Sequence, residues 1–153
     1  MNRRTLLKRG LAASAVSIAA SAGLLIPNSA MAAWPKAAFE AKDVAGGLAG
    51  AMGSSDFAHS DEIKVKAPDI AENGSVVPVT ISTTLSGVEQ ISILADANGS
   101  PMVASFNLSG SQAYVSTRIK MGKTGNVLAV VKANGTLHAN KKEVKVTIGG
   151  CGG

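Results

Sequence analysis

Hydrophobic and polar residues alternate along the second half of the chain, a pattern typical of half-buried β-strands. From Glu62 onward, apolar side chains recur at every second position. The run NVLAVV is apolar at every position but the first, which predicts a central strand, and Pro78 predicts a strand at a sheet edge or with a bulge. In PMVASFNL one face is predicted to comprise Met102, Ala104, Phe106 and Leu108. The strand segments are EIKVKAP, SVVPVTIST, VEQISILAD, PMVASFNL, AYVSTRIKM, NVLAVVKANG and KEVKVTIGG.

Turn-forming pairs separate these segments, and they set the predicted fold class. Each pair combines glycine with asparagine or serine, residues that favour tight turns. About seven short strands at this spacing argue for an immunoglobulin-like β-sandwich, which we expect over residues 62–148. The pairs are Asn73-Gly74, Ser86-Gly87, Asn98-Gly99, Ser109-Gly110, Gly125-Asn126 and Asn134-Gly135.

The stretch WPKAAFEAKDVAGGLAGAMG precedes the strands and has helical periodicity. Its apolar residues follow steps of three and four, which predicts one helix with a single apolar face that docks on the domain. Gly46 and Gly47 weaken this helix by about 1 kcal/mol each relative to alanine. Residues 33–61 are therefore predicted to be a helical segment and a connector, and the fold class is all-β with a short N-terminal helical segment. The predicted face comprises Ala38, Ala41, Ala45, Leu48 and Met52.

The N-terminus has the features of an export signal. MNRRTLLKRG is basic, with Arg3 and Arg4 paired, and a weakly hydrophobic run follows it. NSAMAAWP then supplies the small-x-small pattern of a cleavage site after residue 32. The order Arg-Arg-x-Leu-Leu-Lys resembles a twin-arginine signal, which predicts folded export to the periplasm. An ordinary secretory signal and an uncleaved anchor are the alternatives, although the run is short and rich in Ala and Ser for a membrane span.

The net charge changes once residues 1–32 are removed. The whole chain carries +5, but four basic residues in the signal account for most of it, so the remaining 121 residues carry +1. That charge does not favour nucleic-acid binding. The length suits one core and one domain.

The chain contains one cysteine, Cys151, in the sequence VTIGGCGG. A structural disulfide within the chain is therefore excluded, and one thiol without nearby His or Cys is a poor metal site. Glycine has no Cβ, so the flanking residues give a thin, flexible arm over 149–153 that extends at most about 17 Å. The arm glycines are Gly149, Gly150, Gly152 and Gly153.

This setting is unsuited to catalysis by the cysteine itself. A free thiol has a pKa near about 8.5 and needs a neighbouring base or cation to form a reactive thiolate at neutral pH. The neighbours of Cys151 in sequence are glycines, and no resolving cysteine is present for a thiol peroxidase or disulfide exchanger. The sequence thus favours a covalent attachment point for cargo. A disulfide to a second chain, in an extracytoplasmic adaptor domain, and an unused tail residue remain as alternatives.

The terminal VTIGGCGG, with APDIAENGSVVPVTI, PMVASFNL and STRIKM, resembles the SoxY family of sulfur carriers of bacterial thiosulfate oxidation. The resemblance implies a heterodimer with SoxZ, no cofactor on the carrier and no enzymatic activity of its own. It also implies that Cys151 receives thiosulfate at the haem enzyme SoxAX. The di-manganese hydrolase SoxB would release sulfate, and the molybdenum–haem dehydrogenase SoxCD, where present, would oxidise the remaining sulfane sulfur.

Two other groups of polar residues could contribute to function. Arg118 and Lys120 share the outward face of a predicted strand, where they could meet a partner or substrate anions, or simply face solvent. Asp56, His59, Asp61 and Glu62 could suggest a metal site, but the glycine and serines around them favour a solvated connector.

Overall fold

The structure, a computed structural model, describes residues 34–147. The predicted export signal at 1–32 and the arm at 149–153 lie outside this range. Within residues 34–147, two helices precede nine strands: α1 (Lys36–Glu40), α2 (Val44–Met52), β1 (Ala58–His59), β2 (Ile63–Lys66), β3 (Ile70–Ala71), β4 (Val77–Thr83), β5 (Val88–Ala95), β6 (Met102–Asn107), β7 (Tyr114–Ile119), β8 (Gly125–Ala133) and β9 (Thr136–Val146).

The strands form two sheets. The larger has the order β1-β9-β8-β5-β6, with β3 also paired to β9, and the smaller has the order β2-β4-β7. Without the two-residue strands β1 and β3, seven strands remain, as predicted. The first, second and fifth of these seven form the small sheet and the other four form the large one. This is an immunoglobulin-like arrangement in which the fourth strand pairs with the third, so the all-β sandwich prediction is confirmed.

The core between the sheets follows from the alternation seen in the sequence. Val77, Val79 and Ile81 of β4 are fully buried, whereas the residues between them are exposed or half-buried. Ile91 and Ile93 of β5 belong to the same apolar cluster from the large sheet. Burial of each such side chain contributes about 1.5–3 kcal/mol, which makes this cluster the main support of the fold.

β8 is the central strand that its uniform hydrophobicity predicts. It pairs with β5 on one side and β9 on the other. Val127, Ala129 and Val131 face the core between the sheets, whereas Leu128 and Val130 belong to a second buried cluster with the helices. Helices α1 and α2 cover the outer face of the large sheet, which is why β8 is apolar on both faces.

The predicted single helix is wrong, because the chain breaks it into α1 and α2. Ala41 leaves the helical region with ψ of 144°, and the Asp43 side chain then accepts a hydrogen bond from the Gly46 N–H at 2.6 Å. This N-cap starts a second helix, α2. Ala45 is exposed as a result, although Ala38, Leu48 and Met52 dock on the sheet as predicted.

A glycine of α2 has a packing role that the propensity argument missed. A Cβ at Gly50 would lie 2.8 Å from the Ala38 nitrogen and 2.9 Å from its Cα. The two short helices therefore approach at backbone distance only because position 50 has no side chain.

The N-cap gives a first testable expectation. Asp43→Ala should lower the free energy of unfolding by about 1 kcal/mol, because it leaves N-terminal N–H groups of α2 without the side-chain acceptor. Asp43→Ser should retain most of the stability, since a serine hydroxyl can accept the same bond. Urea denaturation of the two variants beside the wild type measures the difference. Equal midpoints for the alanine and serine variants would contradict the capping role.

Pro78 is not in an edge strand, and this prediction is wrong. β4 lies between β2 and β7, and its pairing with β7 runs without a register shift. The pairing of β2 with β4 ends at Lys66 and Thr80, so Pro78 lies beyond it and has only Arg118 opposite. A residue without an N–H is tolerated inside β4 because no strand is present on that side.

Two other local predictions are wrong, one of them only in part. The pairing of β5 with β6 shifts register between Ile93 and Leu94, so the predicted face of PMVASFNL is divided. Met102 packs with the helices, whereas Phe106 packs against the core between the sheets. Gly125 begins β8 and is not a turn residue; a Cβ there would lie 2.5 Å from that of Ala97.

Candidate functional site

The candidate site is the place where the C-terminal segment leaves the sandwich. β9 ends at Val146, and Thr147 is the last described residue before Cys151. Cys151 and the glycines Gly149, Gly150, Gly152 and Gly153 lie outside the described residues, as do Arg3 and Arg4. The described contacts therefore define the base from which the predicted arm begins.

On one side, the base is held by β3. This short strand runs parallel to the end of β9, with Ile70 opposite Lys145 and Ala71 opposite Val146. The Lys145 N–H donates to the Asp69 carbonyl at 2.9 Å, and the Thr147 N–H donates to the Ala71 carbonyl at 3.1 Å. Two main-chain bonds thus hold β9 up to its last residue and one position beyond.

On the other side, a single threonine continues the contact with β8. The Val146 N–H donates to the Thr124 hydroxyl at 2.9 Å, two positions past Val144, the last residue of β9 that pairs with β8. Successive N–H groups of a strand point to opposite sides. The N–H groups of Lys145, Val146 and Thr147 therefore all have partners, alternately on β3 and on Thr124, and the base is fixed on both sides.

A glycine turn fits closely against this base. The Met121 N–H donates to the Gly74 carbonyl at 2.7 Å. A Cβ at position 74 would collide with the Met121 carbonyl oxygen and would lie 2.8 Å from Cγ1 of Val146. The turn at Asn73-Gly74 was predicted, but its contact with the last strand could not be read from the pattern.

Electrostatic contacts connect the segment before β3 to β9. The Lys142 ammonium lies 3.0 Å from a carboxylate oxygen of Asp69 and donates to the Ala67 carbonyl at 2.7 Å. The Asp69 carboxylate is almost fully exposed, so the ion pair itself contributes little stability. Its value is positional, since it reinforces the β3 contact beside the base.

Arg118 and Lys120 are exposed, as their outward position predicts. Arg118 lies on the outer face of the small sheet, opposite Pro78. Lys120 begins the connection from β7 to β8 that also contains Thr124. The structure thus brings Lys120, but not Arg118, into the loop that holds the base.

The polar residues near β1 form a solvent-facing connector. The His59 Nε2 lies 3.0 Å from Asp61 Oδ1, and both side chains are largely exposed. Across residues 34–147, no group of three or more His, Cys, Asp or Glu side chains is arranged to hold a metal ion. In the same part of the chain, no helix has the length and hydrophobicity to cross a membrane.

Sequence reasoning did not identify Thr124, Lys142 or Asp69 as site residues. It identified Gly74 only as part of a turn. Each acts through a partner far away in the chain, and none belongs to a motif. The one local signal is the asparagine-glycine turn at 73–74.

Comparisons with a family model and with solved structures find proteins similar to this chain. Residues 48–151 match the family model described as sulfur oxidation protein SoxY. The structure of the sulfur carrier protein SoxY from Chlorobium limicola f thiosulfatophilum is 48% identical, with a TM-score of 0.60, and the match covers 67% of this chain and 94% of that one. A superoxide reductase (neelaredoxin) from Ignicoccus hospitalis is 20% identical, with a TM-score of 0.49, over 56% and 79% of the two chains. That weaker likeness carries no functional argument. No protein of curated function matches the sequence.

Proposed function

Because the chain belongs to the SoxY family of sulfur oxidation proteins, we propose that it is a covalent carrier that holds thiosulfate-derived sulfur on Cys151. The observation that carries the proposal is the base of the arm. β9 is held on both sides as far as Thr147, and the only thiol of the chain follows four residues later between glycine pairs. A fixed base and a glycine-flanked thiol suit a group that is presented to other proteins.

The chemistry of such a carrier balances without a catalytic group on the chain itself. In conjugation, the Cys151 thiolate forms a sulfur–sulfur bond to thiosulfate, and two electrons leave to an acceptor of the conjugating enzyme. The product is a cysteine S-thiosulfonate with one negative charge. In hydrolysis, water cleaves the bond between the sulfane and sulfone sulfurs, releasing sulfate and two protons and leaving a persulfide anion on Cys151.

The resemblance supplies the proposed partners. SoxAX is proposed as the haem enzyme that accepts the electrons, SoxB as the hydrolase, SoxCD as the dehydrogenase for the remaining sulfane sulfur, and SoxZ as the heterodimer partner. The carrier is proposed to act without its own enzymatic activity. Export by the twin-arginine route through Arg3 and Arg4 would bring it, with a bound partner, to the periplasm.

The glycines that flank the cysteine keep the segment around it narrow. A glycine residue adds no side chain, so a Gly-Gly-Cys-Gly-Gly segment is scarcely wider than its backbone. From Thr147 to Cys151, four residues extend at most about 14 Å. The cysteine can therefore enter a narrow active-site cleft of an enzyme while the sandwich stays outside the cleft.

The proposal is tested by intact-mass measurement after incubation with thiosulfate and the conjugating enzyme. The wild-type chain should gain the mass of a thiosulfonate group, which a reductant should remove. Cys151→Ser should gain nothing, because an alcohol oxygen forms no such bond with thiosulfate. An equal adduct on the serine variant contradicts the proposal. The proposal is also contradicted if the wild-type chain is constitutively a disulfide-linked dimer and its Cys151→Ala variant still supports normal thiosulfate oxidation by the enzymes.

A further inference from the structure

A groove lies at the end of the sandwich where β9 terminates. It is formed by the β5–β6 connection, residues 96–101, and the β7–β8 connection, residues 120–124. Its volume is about 380 Å³, and its polar lining comes from Asn98, Ser100, Lys120 and Lys123 with the backbone at Gly99 and Gly122.

The charged residues of the groove lining are both lysines. Lys120 and Lys123 line it directly, and the Lys42 ammonium reaches its rim, where it donates to the Ser100 hydroxyl at 3.2 Å. Among the described residues that line it, none is an aspartate or glutamate. The nearest carboxylate in sequence, Asp96, accepts from the backbone and side-chain N–H groups of Asn126 at 2.7 and 2.8 Å. Three ammonium groups therefore act on this space without a carboxylate inside it.

The two loops are fixed to each other by one side chain. The Asn98 side-chain amide donates to the Lys120 carbonyl at 2.8 Å and accepts from the Gly122 N–H at 2.9 Å. Met121, between these two residues, is buried in the core. The loops that carry Lys120 and Lys123 are consequently held in place before any anion binds, which lowers the ordering cost of binding.

The groove lies within reach of the C-terminal segment. Thr124, the residue after Lys123, holds the Val146 N–H at the base of the arm. In the large sheet, β5 lies two strands from β9, with β8 between them. At about 4.8 Å between neighbouring strands, the loop after β5 begins about 10 Å from the end of β9. Four extended residues from Thr147 to Cys151 span about 14 Å, which covers this distance.

From these observations we infer that the basic groove binds the sulfonate end of the cargo on Cys151, so that the loaded arm folds back onto its own domain between encounters with enzymes. This inference rests on the proposed function, because it takes a sulfur-oxyanion adduct as the occupant. Lys120 and Lys123 supply the charge that binds the sulfonate oxygens, and the Gly122 loop supplies the fixed frame. Residues 148–153 are the connection between base and groove.

The binding of the sulfonate to the groove is expected to be weak, because the lysines are exposed to solvent. Exposed lysines are screened by salt over about 8–10 Å at physiological ionic strength. Tethering compensates for this weakness, because a short linker holds the anion at an effective concentration in the millimolar range. The loaded arm therefore rests on the groove and leaves it when an enzyme offers a better site, whereas loss of the sulfonate as sulfate removes the sulfonate oxygens that the groove recognises.

The test loads the arm chemically, so that it does not depend on partner enzymes. Tetrathionate reacts with the Cys151 thiolate to give the S-thiosulfonate, with thiosulfate as the leaving group, and excess reagent is removed. In ¹⁵N-labelled protein, the backbone amide signals of Gly99, Gly122 and Lys123 should shift on loading. In Lys120→Gln/Lys123→Gln the shifts should fall by two-thirds or more, and about 0.5 M NaCl should have a similar effect on the wild type.

A matched variant controls for the change in net charge. Lys64→Gln/Lys132→Gln also removes two lysines, but on β2 and β8 and outside the groove lining, and it should shift like the wild type. Unchanged groove amides in the loaded wild type overturn the inference. Equal shifts in unloaded Cys151→Ser with only micromolar free thiosulfate also overturn it, since binding would then not depend on the tether. A failure of the proposed function is separate, because it appears as no enzymatic loading while chemical loading still shifts the groove.

Discussion

Moving the only thiol, by Cys151→Ser combined with Ser111→Cys, is expected to reduce thiosulfate-dependent sulfur turnover by on the order of 100-fold or more. Ser111 is exposed in the connection between β6 and β7. That connection lies at the opposite end of the sandwich from the base of the arm, because β6 begins and β7 ends at the arm end. The relocated thiol is available to solvent but lies on the body of the domain, where an enzyme cleft cannot reach it.

The measurement is oxygen uptake or sulfate release in a reconstituted sulfur-oxidising mixture, with the carrier varied and the enzymes held constant. Titration of the free thiol and reaction with tetrathionate serve as the control, because both should give one equivalent for the wild type and for the relocated variant. Turnover within a few-fold of the wild type would show that any exposed thiol suffices, and the presentation role of residues 149–153 would be rejected.

Gly74→Ala is expected to lower the free energy of unfolding by about 2–3 kcal/mol, the range of a strongly overpacked site. The added methyl would collide with the Met121 carbonyl oxygen and press on Val146. To relieve the clash, the turn must move away from β9. This movement weakens the 2.7 Å hydrogen bond from the Met121 N–H to the Gly74 carbonyl. The base of the arm should therefore loosen together with the turn.

Chemical denaturation measures the loss of stability, and amide exchange at Val146 and Thr147 measures the loosening of the base. Gly99→Ala is the matched control, since a Cβ there would meet nothing within 4 Å. It should change stability by less than about 0.5 kcal/mol. Equal stability of the two variants would mean that the turn yields at no cost and does not clamp the last strand.

Much of the sandwich was available from the sequence, because strand identity depends on neighbours two residues apart. The alternation at Val77, Val79 and Ile81 is sufficient to predict a half-buried strand, and the observed burial agrees. The turn at Asn134-Gly135 is equally local: both residues have positive φ, which asparagine and glycine tolerate best. The uniform hydrophobicity of β8 likewise identifies a central strand without any information on the two layers that cover it.

The sequence was ambiguous where a single residue changes which face its neighbours present to the core. The apolar residues from Ala38 to Met52 fit one helix, yet the Asp43 side chain caps a second helix and rotates the apolar face so that Ala45 is exposed. The alternation in PMVASFNL fits one face, yet the register shift opposite Ile93 and Leu94 divides it. A helix cap or a bulge shifts which positions face the core. The spacing of apolar residues in the sequence does not show that shift.

The sequence by itself determined the chemical part of the site: one thiol, at position 151, between two pairs of glycines. Only the tertiary structure decided what holds the strand before it, because the Thr124 hydroxyl, the β3 backbone and the Gly74 turn reach β9 from positions 22 to 76 residues away. It also decided that Lys120 and Lys123 line one groove and that Lys42 donates to Ser100 at its rim. Contacts of this kind follow from how the sheets pair and pack, and no local pattern of residues records that pairing.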